Sequence, residues 1–238
     1  MTEESPTDFD FGRFEALTFD CYGTLIDWEA GLTAAFRRLL DPHGIHPETD
    51  ALLETYAGFE AELERPPYRR YREVLATAAR RISARYGVEP SEDELAAFGG
   101  SVVDWPAFPD SSAALVRLKT RYRLGVLTNC DDDLFAASNV RLGVEFDWVV
   151  TAQQVGSYKP DPRNFGVLIE RLALPQDRIL HVAQSLYHDH VPARALGLDT
   201  VWIDRRHDRP GAGATPLAHA TPDRTYPDMA SFAAAALD

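Results

Sequence analysis

Three things are scarce in this chain: cysteine, long apolar runs and positive charge. Only two of its 238 residues are Cys, so no disulfide framework is implied. Cys21 and Cys130 read as two small apolar residues for the interior, with a redox pair as the alternative. No apolar run approaches the roughly 20 residues that cross a bilayer. Lys and Arg number 24 against 37 Asp and Glu, a net charge of −13. Such a surface disfavours nucleic acid and anionic membranes as partners. It also works against anionic substrates, so a site for one needs local positive charge. The stretch Met1–Asp10 is acidic and polar, without a basic n-region or an apolar h-region. It reads as a loose tail, and the expected location is cytoplasmic.

Periodicity supplies the organisation. Five segments have strand character: an apolar stretch from Ala16 that ends at Asp20, then Arg123–Thr128, Trp148–Thr151, Ile179–Ala183 and Thr200–Ile203. Helical patterns lie between them. Leu115 and Leu118 share one face over 112–121, and Phe165, Leu168, Ile169 and Leu172 share another over 164–172. Alternation of this kind predicts a Rossmann-like parallel sheet with helices on both faces. Residues 30–105 break the rhythm. Leu32, Phe36, Leu39 and Leu40 form one amphipathic face, and Val74, Leu75, Ala78 and Ile82 form another. Pro90-Ser91 starts a third helix over 92–98. The reading is a core of 1–29 and 106–238 with an all-helical cap, 30–105, inserted after the first strand. The Pro- and Gly-rich stretch 205–227 reads as irregular, before a final helix over 229–237.

Asp20 is the most informative residue. It ends the first strand and is followed by Cys21-Tyr22-Gly23-Thr24-Leu25. In an open α/β sheet, ligands bind beyond the carboxyl ends of the strands. A carboxylate there is a candidate nucleophile able to form a covalent ester. Thr128-Asn129 ends a second strand. Lys159 lies in Ser157-Tyr158-Lys159-Pro160-Asp161-Pro162, where a cation can keep a neighbouring carboxylate ionised. Ala183-Gln184-Ser185-Leu186-Tyr187-His188-Asp189 ends a third strand.

These four segments, in this order, resemble the motifs of the haloacid dehalogenase superfamily. Position +2 after the nucleophile then matters most. Phosphatases of the superfamily carry a second Asp there as acid and base, whereas the 2-haloacid dehalogenase branch, like this chain, has Tyr (Tyr22). The chemistry agrees: an alkoxide leaving group is a strong base and needs a proton. Halide does not, and Tyr is a poor acid, with a reference pKa near 10.

The resemblance implies roles. Asp20 attacks the halogen-bearing carbon, Lys159 holds it, and Asp189 orients the hydrolytic water, with capping of a helix as its bland alternative. Thr24 supports the turn and bonds the Asp20 carboxylate. Tyr22, Thr128, Asn129, Gln184 and Ser185 contact substrate or halide. No cofactor is required. Magnesium remains possible on Asp20, the Tyr22 carbonyl and Asp189, although Gln184 stands where phosphatases have an acidic ligand. His181, His188 and His190 read as packing or supporting groups, not as a metal site. Phe165 replaces a family Tyr. The family's cap Arg, which clamps the substrate carboxylate, falls by register at Phe59 or Glu60, and neither fits. Arg65, Arg69, Arg70 and Arg72 are the substitutes on offer, and Arg69 is the one selected.

The expected activity is hydrolysis of a small 2-haloalkanoic acid through an ester on Asp20. Two alternatives stay open: a magnesium-dependent phosphatase, and a non-catalytic protein that binds a small anion. A homodimer is possible, as is common in the family.

Overall fold

The computed structural model describes residues 9–209 and 213–238. Most of the expected tail, Met1–Asp10, lies outside them. Strand β1 (Ala16–Phe19) is buried along its whole length, which suits a run without polar alternation. The chain leaves the sheet through a turn at Gly23, whose φ of +92° lies in the region glycine adopts without strain. Helices α1 (Trp28–Leu40), α2 (Thr49–Leu63), α3 (Tyr71–Arg85) and α4 (Glu92–Gly99) follow, and then α5 (Ser111–Leu118). The faces expected for α1 and α3 are the faces they bury. A reciprocal Ser91–Glu94 box opens α4.

The remaining elements alternate: β2 (Arg123–Thr128), α6 (Asp132–Leu142), β3 (Trp148–Thr151), α7 (Ala152–Val155), α8 (Pro162–Leu172), β4 (Ile179–Ala183), α9 (Val191–Ala195), β5 (Asp199–Ile203), β6 (Arg224–Tyr226) and α10 (Met229–Leu237). All strand pairs are parallel, in the order β3-β2-β1-β4-β5-β6. Strand β6 corrects the reading of 205–227 as irregular throughout. It is three residues long and partly exposed, too short for an alternating pattern, and it pairs with β5 from Val201–Arg224 to Ile203–Tyr226.

Strand order reverses between β1 and β4, and the crevice at such a switch point is where this topology accepts ligands. The two faces of the sheet pack separately. Leu17, Phe19, Leu124, Val126, Leu180 and Val182 join one apolar cluster that continues without a break into Trp105, Phe36, Tyr56 and Phe98 of the inserted helices and their return. The opposite face packs Ala16, Leu127, Val150 and Ile179 against Phe165, Leu168 and Leu172 of α8. At the seam, Gly31 lies against the Trp105 ring, and any Cβ there would collide with it.

Candidate active site

Asp20 directly follows β1, and its N–H donates to the Val182 carbonyl at 3.1 Å, so the backbone of β4 fixes it. Its carboxylate is held from two sides. Thr24 Oγ1 donates to Oδ2 at 2.7 Å, and Lys159 Nζ donates to Oδ1 at 2.8 Å. The Thr24 hydroxyl in turn accepts from the Gln184 N–H at 2.9 Å. Lys159 Nζ also reaches Asp189 Oδ1 at 2.7 Å and the Leu127 carbonyl at 3.0 Å, which uses all three ammonium donors. The lysine is 1% exposed, so this is a buried ion triad.

Behind it, His181 Nε2 lies 2.9 Å from Asp189 Oδ1, and its Nδ1 lies 2.9 Å from Thr18 Oγ1. An ionised carboxylate only accepts, so Nε2 carries the proton, and in the neutral imidazole Nδ1 then accepts from Thr18. Phe165 packs edge-on against this imidazole, with centroids 5.0 Å apart. Burial pushes the Asp20 carboxyl up, and Lys159 and Thr24 offset only part of that. Burial acts on Asp189 in the same sense, but there Lys159 and His181 prevail and hold it well below the ordinary carboxylate range. Burial also opposes the Lys159 charge, and the two carboxylates outweigh it, so its pKa rises.

Asp189 lies inside a π-helical turn, Leu186–His190, whose N-cap is Ser185. It is therefore not a helix cap. Its Oδ2 is buried without a hydrogen-bond partner among the described residues. Asp20, Lys159, Asp189, Asn129, Ser185 and Tyr22 all border one small cavity of about 30 Å³.

Other expected contacts are arranged differently. The Tyr22 hydroxyl turns away, 3.0 Å from Ser138 Oγ, and accepts from Cys130 Sγ at 3.4 Å. Asn129 donates from Nδ2 to the Lys159 carbonyl at 3.0 Å and to Glu64 Oε2 at 3.4 Å. Thr128 is buried at the end of β2, outside the cavity wall, with its hydroxyl unpaired among the described residues. The Gln184 side chain accepts from Thr215 Oγ1 at 3.4 Å and faces a neighbouring cavity beside Trp202. Ser185 Oγ accepts from the His188 N–H at 2.9 Å. Cys21 and Cys130 are free and buried, and burial raises both thiol pKa values.

The structure does not bring Arg69 to the pocket. Its Nη1 donates to the Leu63 carbonyl at 3.0 Å, while its own carbonyl accepts from the Tyr158 hydroxyl. Arg70 and Arg72 pair with Asp131 and Asp133. Asp131 also accepts from the Tyr71 N–H at 2.9 Å and the Arg72 N–H at 3.2 Å. It thereby caps α3, whose own N-cap residue, Arg70, makes no side-chain cap bond. Among the described residues no arginine borders the cavity; the insertion contributes Glu60, Glu64 and Tyr71 instead, beside Trp28 at the start of α1. Glu60 Oε1 accepts from Tyr56 at 2.7 Å and from Tyr71 at 2.9 Å. Burial pushes the Glu60 carboxyl up to about 7 and raises that of Glu64 as well. A signal for Glu60 was present: at i+4 from Tyr56 and i+3 from Ala57, it sits on the buried face of α2. A lone Glu on an apolar face is a misfit that a cavity explains.

The donors do not fit a magnesium site. The Lys159 ammonium already takes one oxygen each of Asp20 and Asp189, Thr24 takes the other Asp20 oxygen, and the Gln184 side chain points elsewhere. No group of three His, Cys, Asp or Glu side chains suited to a metal ion occurs among the described residues.

The haloacid dehalogenase-like hydrolase family matches residues 14–197. An (S)-2-haloacid dehalogenase of Pseudomonas putida is 27% identical, with 94% of this chain and 98% of that one aligned. A phosphoserine phosphatase of Thermus thermophilus is 31% identical over 104 residues, 42% of each chain. Among solved structures, an L-2-haloacid dehalogenase superposes with a TM-score of 0.78 at 25% identity, covering 93% of this chain and 97% of that one. The L-2-haloacid dehalogenase of Xanthobacter autotrophicus superposes with a TM-score of 0.76 at 19% identity, over 93% and 97% of the two chains, a likeness of fold. With its motifs gathered at one switch point and the match spanning most of its length, this chain belongs to the haloacid dehalogenase-like hydrolases.

Proposed function

We propose that this hydrolase cleaves a carbon–halogen bond next to a carbonyl group, using Asp20 as nucleophile. The observation that carries the reading is the setting of Asp20. Lys159 and Thr24 fix its oxygens, and the position two residues on, where the phosphatases carry an acid, holds none. The residue at +2 is Tyr22, whose hydroxyl is engaged with Ser138 and Cys130 and whose pKa burial raises. Position +2 therefore supplies no proton for an alkoxide, and halide needs none.

In the first step Asp20 attacks the halogen-bearing carbon in line. A C–O bond forms and halide leaves with the C–X electron pair. In the second, water attacks the Asp20 carbonyl carbon, and the alcohol departs with a proton from that water. The ionised Asp189, with Oδ2 unbonded, is the acceptor that orients this water, and the remaining proton passes to solvent. No metal takes part. Residues 30–105 act as a cap domain on a core of 1–29 and 106–238, and the enzyme works in the cytoplasm on a small molecule. The 2-haloalkanoic acid implied by the motifs is one member of the substrate class.

Halide release from small 2-halo carbonyl compounds, assayed with a chelator present, tests this. Activity should persist in chelator and vanish in Asp20→Asn. A single turnover in ¹⁸O-water should place the label in Asp20. Full activity of Asp20→Asn, or label only in the product, would refute the mechanism.

A further inference from the structure

We infer that Glu60 and Glu64 are specificity determinants that make this pocket accept an uncharged, N–H-bearing 2-halo carbonyl compound, a 2-haloamide, in preference to a 2-haloacid. This rests on the carbon–halogen reading above and names its substrate.

The make-up of the cavity wall carries the argument: it is rich in carboxyl oxygens and has no cation to spare. Four carboxyl groups border it, those of Asp20, Glu60, Glu64 and Asp189, against one ammonium, that of Lys159. Lys159 has no donor to spare, since its three are used. His188 also borders the cavity, and burial lowers its pKa to about 4, so it adds no charge near neutrality. A substrate carboxylate would enter a small space without a free cation to meet it. Arg69, Arg70 and Arg72 are held by the Leu63 carbonyl, Asp131 and Asp133, and no arginine among the described residues borders the cavity.

Acceptors, by contrast, are available. Glu60 is 3% exposed, and its Oε1 takes the Tyr56 and Tyr71 hydroxyls, while Oε2 takes no hydrogen bond from a described residue. The Glu64 side chain is 7% exposed, and its Oε2 has only the long 3.4 Å bond from Asn129, with His188 Nε2 at 4.0 Å. An amide –NH₂ offers two donors to two such oxygens and brings no charge. The adjacent carbonyl keeps the halogen-bearing carbon activated for displacement. The reaction balances as R–CHX–CO–NH₂ + H₂O → R–CHOH–CO–NH₂ + H⁺ + X⁻, through the ester on Asp20.

The test compares halide release from both enantiomers of 2-chloropropionamide and of 2-chloropropionate, in the intact protein and in Glu60→Gln and Glu64→Gln. The amide should have the higher kcat/KM by about tenfold, the worth of one or two hydrogen bonds. The Gln variants should shrink that ratio mainly through KM. Because these variants can alter folding, a second measurement uses Asp20→Asn: lactamide should bind it more tightly than lactate. If the acid is the better substrate and the Gln variants leave the ratio unchanged, the inference is overturned while the carbon–halogen reading stands. If neither compound releases halide, that reading falls, and the inference with it.

Discussion

Asn129 and Lys159 hold each other by two hydrogen bonds. The Asn129 Nδ2 donates to the Lys159 carbonyl at 3.0 Å, and the Lys159 backbone N–H donates to Asn129 Oδ1 at 2.7 Å. The side chain expected to grip the departing halide thus locks the lysine loop to the end of β2. Asn129→Ala should lower kcat by about tenfold to a hundredfold, since a small displacement of a positioning group costs that much. KM should move little. Steady-state kinetics checks this; a pure KM effect would show instead that Asn129 acts on bound substrate.

Thr24 tunes the nucleophile. Burial raises the Asp20 pKa, and the Thr24 hydrogen bond is one of the groups pulling it down. Only the ionised carboxylate attacks, so activity is lost as pH falls through that raised pKa. Thr24→Val should move the acid limb of kcat/KM to higher pH and reduce the plateau. An unmoved acid limb would mean that another group sets it.

Glu60 makes stability depend on pH with a definite sign. Its carboxyl titrates near 7 when folded, against an ordinary value of 4.5. Between those values the folded chain keeps a proton that the unfolded chain has lost. Its contribution is complete below pH 4.5 and is lost as pH rises to about 7, and Glu64, also raised by burial, acts in the same sense. Glu60→Gln keeps an acceptor for Tyr56 and Tyr71 without the buried charge. It should stabilise the protein at pH 8 by roughly 2–3 kcal/mol and leave it nearly unchanged at pH 4. Urea unfolding at the two pH values reads the difference.

Asp131 ties α3 to the loop after β2. Asp131→Ala would strip the Tyr71 and Arg72 N–H groups of their acceptor. The expected loss is about 1–3 kcal/mol, the scale of a lost cap or an unsatisfied buried group. Freed of Asp131, Arg70 and Arg72 keep only Asp133 and Gln153. Chemical denaturation measures the loss.

The sheet was legible because its strands are continuous apolar runs, and bounds for β2, β3 and β4 read from the sequence match those observed. Strand β6 was not, since Arg224, Thr225 and Tyr226 form a strand only because β5 offers them an edge. Asp20, Lys159 and Asp189 were legible as motif residues, and the structure brings them together at hydrogen-bond distance. The opposite wall was not. A side chain on an inserted helix reaches the pocket or misses it according to the docking of that helix, which no local pattern encodes. So Arg69 was selected and Glu60 passed over, although Glu60 holds the inward register of α2.

The unbroken apolar cluster from Phe19 through Trp105 to Tyr56 has a bearing on engineering. The inserted helices have no interior of their own, and Gly31 and Trp105 fit one another alone. Transplanting a relative's insertion onto this sheet, in order to exchange substrate preference, would tear a shared interior. Recognition is better altered in place, by single side chains on α2, than by swapping modules.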